Sequence, residues 1–227
     1  MDDKRKPPAL ALMGGKRAYA RQVIKRLEGL YPNARTALDF SNPLELMVAV
    51  ILSAQCTDVR VNRITPALFG RYRTTKDYAE AEIGELESLI KPCGFYRSKA
   101  KNIKGATRRL VADFGGEIPR TMAEIITLPG IARKSGNIIL YDTYGVTEGI
   151  AVDTHVRRIS QRLGLSTHTD PDKIERDLMD IVSRPKWGKL NYLLVNLGRD
   201  VCAARLARHE KCVLRDICPA TADRVEA

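Results

Sequence analysis

Residues 127–140 read TLPGIARKSGNIIL, and this stretch decides the fold. Pro129 and Gly130 supply turn chemistry between two apolar helical patterns, and the connection is too short for anything but a tight hairpin of helices. On the near side Thr121 and Glu124 form a capping-box pattern for a helix that stops near Leu128–Gly130. On the far side a helix runs to Tyr144, where Gly145 can end it. The first N–H groups of that second helix lack intrahelical partners and carry the positive end of its dipole, so they suit a phosphate. Such a contact reads no base sequence. From spacing alone, an ordinary helix-turn-helix corner explains the stretch equally well.

Outward from the hairpin the chain reads as helices. Residues 1–15 mix charge, Pro and Gly without a helical period and are expected to form a mobile basic tail. Val23, Ile24, Leu27, Leu30 and Tyr31 then recur at helical spacing. Asn42 can cap the next helix, with Pro43 at its first position and Glu45 at its third, before the buried run LMVAVIL. Val61, Ile64 and Leu68 mark a third helix and EIGELESLI a short one. Over 99–114, Ile103, Ala106, Leu110 and Phe114 line one face, while Lys99, Lys101, Lys104 and Arg108 are expected to place their charges elsewhere. Asp170 and Pro171 open a later helix, and LNYLLVNLG is apolar throughout. No run of alternating β-branched residues appears, so the fold class is all-α.

The 227 residues suffice for one large core or two modest ones. Lys and Arg total 38 against 27 Asp and Glu, a net charge of +11 that attracts polyanions. Nucleic acid is the first partner to consider; a basic surface that only aids solubility is the plain alternative. No apolar run approaches the roughly 18 residues of a membrane span, and the first residues make a poor secretory signal. A reducing intracellular compartment is therefore expected; separate expectations are a cytoplasmic, nucleoid-associated place, a bacterial or archaeal source and a monomeric chain. There the five cysteines serve as ligands or core residues rather than disulfides.

Two residues carry possible chemistry. Lys134 lies near a helix N-terminus, where the helix field and partial desolvation both disfavour its charge, so a neutral amine becomes available as a nucleophile. Asp153, in the apolar stretch GIAVDTHV, could stabilise a developing sugar cation or relay a proton. The plain readings are a solvated phosphate contact for Lys134 and the N-cap of the following helix for Asp153.

LPGIARKSGN, AVDTHVRRISQRLGL, LSAQCTDVRVN, GFYRSKAKNI and the cysteine spacing at the C-terminal end occur in this order between about Asn42 and Cys218. Together they resemble the endonuclease III family, bifunctional DNA glycosylases of the helix-hairpin-helix superfamily. The resemblance implies two helical domains flanking a DNA-binding cleft: a six-helix barrel over 36–146, and a second domain made of residues 1–35 and 147–227. It implies Lys134 as the nucleophile at a sugar C1′ and Asp153 as its partner. Base loss, a Schiff base and β-elimination would follow, on oxidised pyrimidines in damaged double-stranded DNA. A noncatalytic or redox-responsive DNA-binding protein on the same scaffold is the alternative.

The nucleotide must leave the stack for such chemistry. By resemblance Gln55 and Phe95 fill and wedge the gap, although the family usually has an aliphatic residue at the second position. Gly130 and Ala132 belong to the phosphate-binding hairpin. Ala132 stands where the family has glycine, and Ser135-Gly136 where it has Thr-Ala. If that backbone needed positive φ, alanine would strain it by roughly 1 kcal/mol or more.

The family binds a [4Fe–4S] cluster through four cysteines, spaced so that Cys202, Cys212 and Cys218 match the first, third and fourth. His209 occupies the second place, which makes a Cys3His ligand set, since imidazole can replace thiolate on iron. A three-cysteine cluster, a Cys3His zinc site and a merely solvated His209 are the rivals. Closing this loop would hold Arg205, Arg208 and Lys211 against the DNA backbone. Cys56 and Cys93 are read as small buried residues.

Overall fold

The computed structural model describes residues 13–222. Among these, regular structure is helical, and the only extended pairing is an isolated bridge between Cys202 and Ala207. The chain divides into two compact units, one from Thr36 to Glu148 and the other joining the residues up to Arg35 with those from Gly149 onward.

The continuous unit holds seven α-helices: α2 (Pro43–Ser53), α3 (Asp58–Arg71), α4 (Thr75–Glu80), α5 (Ile83–Ile90), α6 (Tyr96–Asp113), α7 (Met122–Ile125) and α8 (Arg133–Tyr144), whereas α1 (Met13–Leu30) belongs to the other unit. Asn42 caps α2 by accepting from Glu45 N–H, and the Glu45 carboxylate accepts in turn from Ser41 N–H at 2.6 Å. All seven residues Leu46–Leu52 are buried, so α2 is the hydrophobic axis of this unit. Leu68, Leu86, Ile103, Leu110 and Ile139 complete the core around it. Gly145, at φ +66°, ends α8 as expected, with Val146 N–H reaching back to Leu140 O.

One helix is additional to those expected, and one expectation fails. Helix α4 follows an unmarked stretch, yet Thr74 and Asp77 form a complete capping box and Tyr78 is fully buried. Lys99 is buried at 4% exposure rather than solvated, because it shares the inward face of α6 with Ile103. Lys104 and Arg108 do lie outside the core, where they donate to the carbonyls of Ala81 and Ala79.

The discontinuous unit contains α1, α9 (Thr154–Arg162), α10 (Pro171–Ile181), α11 (Trp187–Asp200) and α12 (Pro219–Ala222). Val23 and Leu27 of α1 meet Val156, Ile159, Leu178, Leu193 and Leu197 in its core. Helix α1 starts within the stretch expected as tail; the remainder of that stretch, residues 1–12, lies outside the described residues. Gly198 permits close approach of α9 and α11, since a Cβ there would lie 2.5 Å from His155 Nδ1 and 2.8 Å from Ile159 Cδ1.

Candidate functional site

The hairpin is built by one glycine. Gly130 has φ +82°, and a Cβ on it would fall 2.8 Å from Asn102 Cβ, so both conformation and space require glycine. Ala132 has φ −93° and ψ 170°, ordinary extended backbone, so the alanine at this position carries no strain. Gly136 faces Met122 Sδ and Ile125 Cγ2, where a Cβ would come within 2.9 and 3.1 Å. Glycine there lets α8 close on α7. Glu148 ties the arrangement down by accepting from Met122 N–H at 3.1 Å, while Arg133 donates to its carbonyl.

Ala132 is the N-cap of α8 and offers no side-chain acceptor to the first turn, which also holds no acidic residue. The positive end of the helix therefore faces outward without a carboxylate from that turn to offset it. Lys134 stands in this turn and is exposed.

In the other unit Asp153 is the N-cap of α9, with its Oδ1 accepting from Val156 N–H at 2.8 Å. The capping role and a chemical role use different capacity of the same carboxylate, because one oxygen holds the cap and a second remains. His155 follows, its pKa lowered chiefly by burial. Arg158 lies 3.2 Å from His155 Nδ1, an arrangement that a protonated ring would oppose.

Cys202, His209, Cys212 and Cys218 line one recess, with Ile159, Leu163, Leu197, Val201 and Leu214 as its apolar wall. Burial raises the pKa of Cys212 and Cys218, and the other thiols of the recess raise them further. Burial thus disfavours the thiolate form of Cys212 and Cys218, whereas a bound metal centre draws such ligands to thiolate. No group of three or more His, Cys, Asp and Glu among the described residues is drawn tightly enough to chelate a single ion. A four-iron cluster takes its four ligands at different irons and so suits donors spread around a recess. The donor chemistry and the shared recess fit such a group.

Sequence reading missed the arginines that organise this loop. Arg162 donates to Cys202 Sγ at 3.2 Å, Ala203 O at 2.8 Å and Ala204 O at 2.9 Å. Arg158 donates to Gly198 O and Cys202 O. Their four-residue spacing on α9 places both on one helix face, which was the available signal. From α1, Arg26 donates to Val213 O at 2.9 Å and forms a two-pronged pair with Asp216. Of the basic residues expected to contact DNA, Arg205 and Lys211 are exposed, while Arg208 is engaged by Asp200.

Gln55 and Phe95 are both exposed, and they are the two non-glycine residues with positive φ among those described, at +52° and +49°. Cys93 is buried as expected, and burial pushes its thiol up to about 11; Cys56 is half-buried beside it.

This hairpin on an all-helical frame defines a class. A model of the HhH-GPD superfamily of base excision DNA repair proteins matches residues 48–184, and the chain belongs to that superfamily. Within it the chain is 48% identical over 210 residues to an endonuclease III from Synechocystis sp., covering 92% of this chain and 96% of the relative. An endonuclease III from Bacillus subtilis is 41% identical, over 86% of this chain and 89% of the relative. A solved structure of a trapped endonuclease III–DNA covalent intermediate, an estranged-adenine complex, matches with a TM-score of 0.86 and 37% identity, over 92% of this chain and 98% of that one. No helix among the described residues is long and apolar enough to cross a membrane.

Proposed function

We propose that this chain is a base excision repair DNA glycosylase with abasic-site lyase activity, removing oxidised pyrimidines from damaged duplex DNA with Lys134 as its nucleophile. The observation that carries the reading is the exposed lysine at the N-terminus of α8, in a hairpin whose turn requires glycine at position 130. The trapped covalent complex of a 37% identical relative supports a covalent route. The Lys134 amine bonds to the sugar C1′ as the base departs with its electron pair and takes up a proton. The ring then opens to a Schiff base, loss of the C2′ proton expels the 3′ phosphate, and water releases the amine. Asp153 stabilises positive charge developing on the sugar and assists the proton transfers, while its capping oxygen holds the start of α9.

Gln55 and Phe95 occupy the gap left by the extrahelical nucleotide. The Gly130–Ala132 segment takes a backbone phosphate, and Arg205, Arg208 and Lys211 add charge from the C-terminal loop. Cys202, His209, Cys212 and Cys218 hold a [4Fe–4S] cluster, which when bound cross-links the loop as a structural centre. A visible iron–sulfur absorption band with matching iron content is the expected result; zinc in its place would overturn the cluster. Loss of the band in His209→Ala and its return in His209→Cys would support ligation by residue 209. A DNA substrate and the bacterial source of the relatives named support a place with the nucleoid in the cytoplasm.

Borohydride is expected to trap wild-type protein on abasic duplex DNA and to leave Lys134→Ala untrapped. Equal trapping of both would remove Lys134 from its role. A panel of duplexes, each with one lesion, scored separately for base release and strand scission, tests the pyrimidine preference.

A further inference from the structure

Lys99 is a buried lysine that the chemistry above does not use. Its ammonium donates to Leu52 O at 2.8 Å and to Cys93 O at 2.9 Å. The Leu52 carbonyl lies at the C-terminus of α2, where the next available amide, Cys56 N–H, bonds Ser53 O instead. The Cys93 carbonyl ends a single helical turn over 91–93. Both are negative ends of short dipoles, so a cation is the fitting donor for them. The backbone N–H of Lys99 also bonds Phe95 O at 3.0 Å.

These bonds hold two places where the backbone is strained. Gln55 lies three residues beyond Leu52, Phe95 lies two beyond Cys93, and both adopt the left-handed conformation that side chains disfavour. Gly94 before Phe95 is also at positive φ, and the Phe95 side chain is 66% exposed. Core packing gives no reason to keep an exposed aromatic on a strained backbone. A single buried ammonium that joins both loop stems does give the means.

We propose that Lys99 is a positioning residue, whose ammonium fixes the Gln55 and Phe95 loop tips together so that both side chains meet a disrupted base pair at once. This rests on the reading of the chain as a lesion-binding repair enzyme. An untethered pair of loops would fluctuate independently and lose its preorganised engagement of the gap.

The test is affinity, by fluorescence anisotropy, for a duplex carrying a stable abasic analogue against the same duplex intact. Lys99→Met keeps the length of the side chain and removes the donor; it should lower this preference by about tenfold or more. Lys99→Gln, which retains one donor, should fall between. Gln55→Ala/Phe95→Ala should lower the preference likewise, and adding Lys99→Met to that pair should cost little more. Binding to the intact duplex, which needs the fold and the net charge, reports loss of structure in the same experiment. If Lys99→Met loses both affinities together, Lys99→Gln decides. A preference unchanged in either lysine variant, or losses that add in the triple variant, would overturn the proposal. Failure of the enzyme reading shows separately, as absence of a borohydride adduct in wild-type protein that still prefers the abasic duplex.

Discussion

Between Thr36 and Glu148 the core is made from one uninterrupted stretch, wound around a helix whose residues 46–52 are all buried. The other unit gathers its core from residues before and after the continuous one, and its segment 202–218 has little regular structure. That segment is held instead by side-chain bonds from Arg26, Arg158 and Arg162 and by the walls of the cysteine-lined recess. The contrast teaches that the two units depend on different forces. One relies on apolar burial within a continuous segment; the other adds polar clamps and donors suited to a metal centre.

The largest expected effect tests this contrast directly. Cys212→Ser/Cys218→Ser should reduce amide-exchange protection across 202–218 to near that of an unstructured chain, while 36–148 keeps its protection. Comparable loss in both units would show that the contrast is false. Next, Leu110→Ala, at a fully buried site on α6, should cost about 2–5 kcal/mol in denaturant unfolding and leave any visible cluster absorption unchanged.

A smaller effect separates capping from chemistry at α9. Asp153→Ala should cost about 1 kcal/mol of stability, whereas Asp153→Asn should change it by only a few tenths, since asparagine caps as well as aspartate. Borohydride trapping should nevertheless fall in Asp153→Asn by about 100-fold or more.

The smallest concerns His155. Its folded pKa is lowered, so below the unfolded value of about 6.5 the unfolded chain binds more protons than the folded one. Stability should therefore fall as the solution is acidified from pH 7 through that window, and His155→Gln should flatten the dependence, as read by melting at a series of pH values.

Much of the frame could be read from residue order. Asn42 with Glu45, Asp170 with Pro171, and Gly145 declare helix ends through local chemistry, which a single sequence records fully. Lys99 was misplaced because a charge on a helix was assigned to water, although its four-residue distance from Ile103 already set it on the inner face. The capping box of Thr74 and Asp77 had the same legibility as the one at Thr121 and went unread. Whether Ala132 is strained depends on a φ value that no residue name carries, and the structure answers it with −93°. The recess lined by Cys202, His209, Cys212 and Cys218 is likewise invisible to spacing alone, because Arg158 and Arg162 shape its loop from a distant helix.

The split ancestry of the second core also bears on synthesis. Helix α1 leaves the ribosome before its partners, because the residues that cover Val23 and Leu27, on α9 to α11, are translated more than a hundred residues later. The stretch between them can complete its own core meanwhile. During that interval α1 waits with its apolar stripe uncovered, so premature chain termination before α11 would leave a finished central body carrying a sticky leading helix.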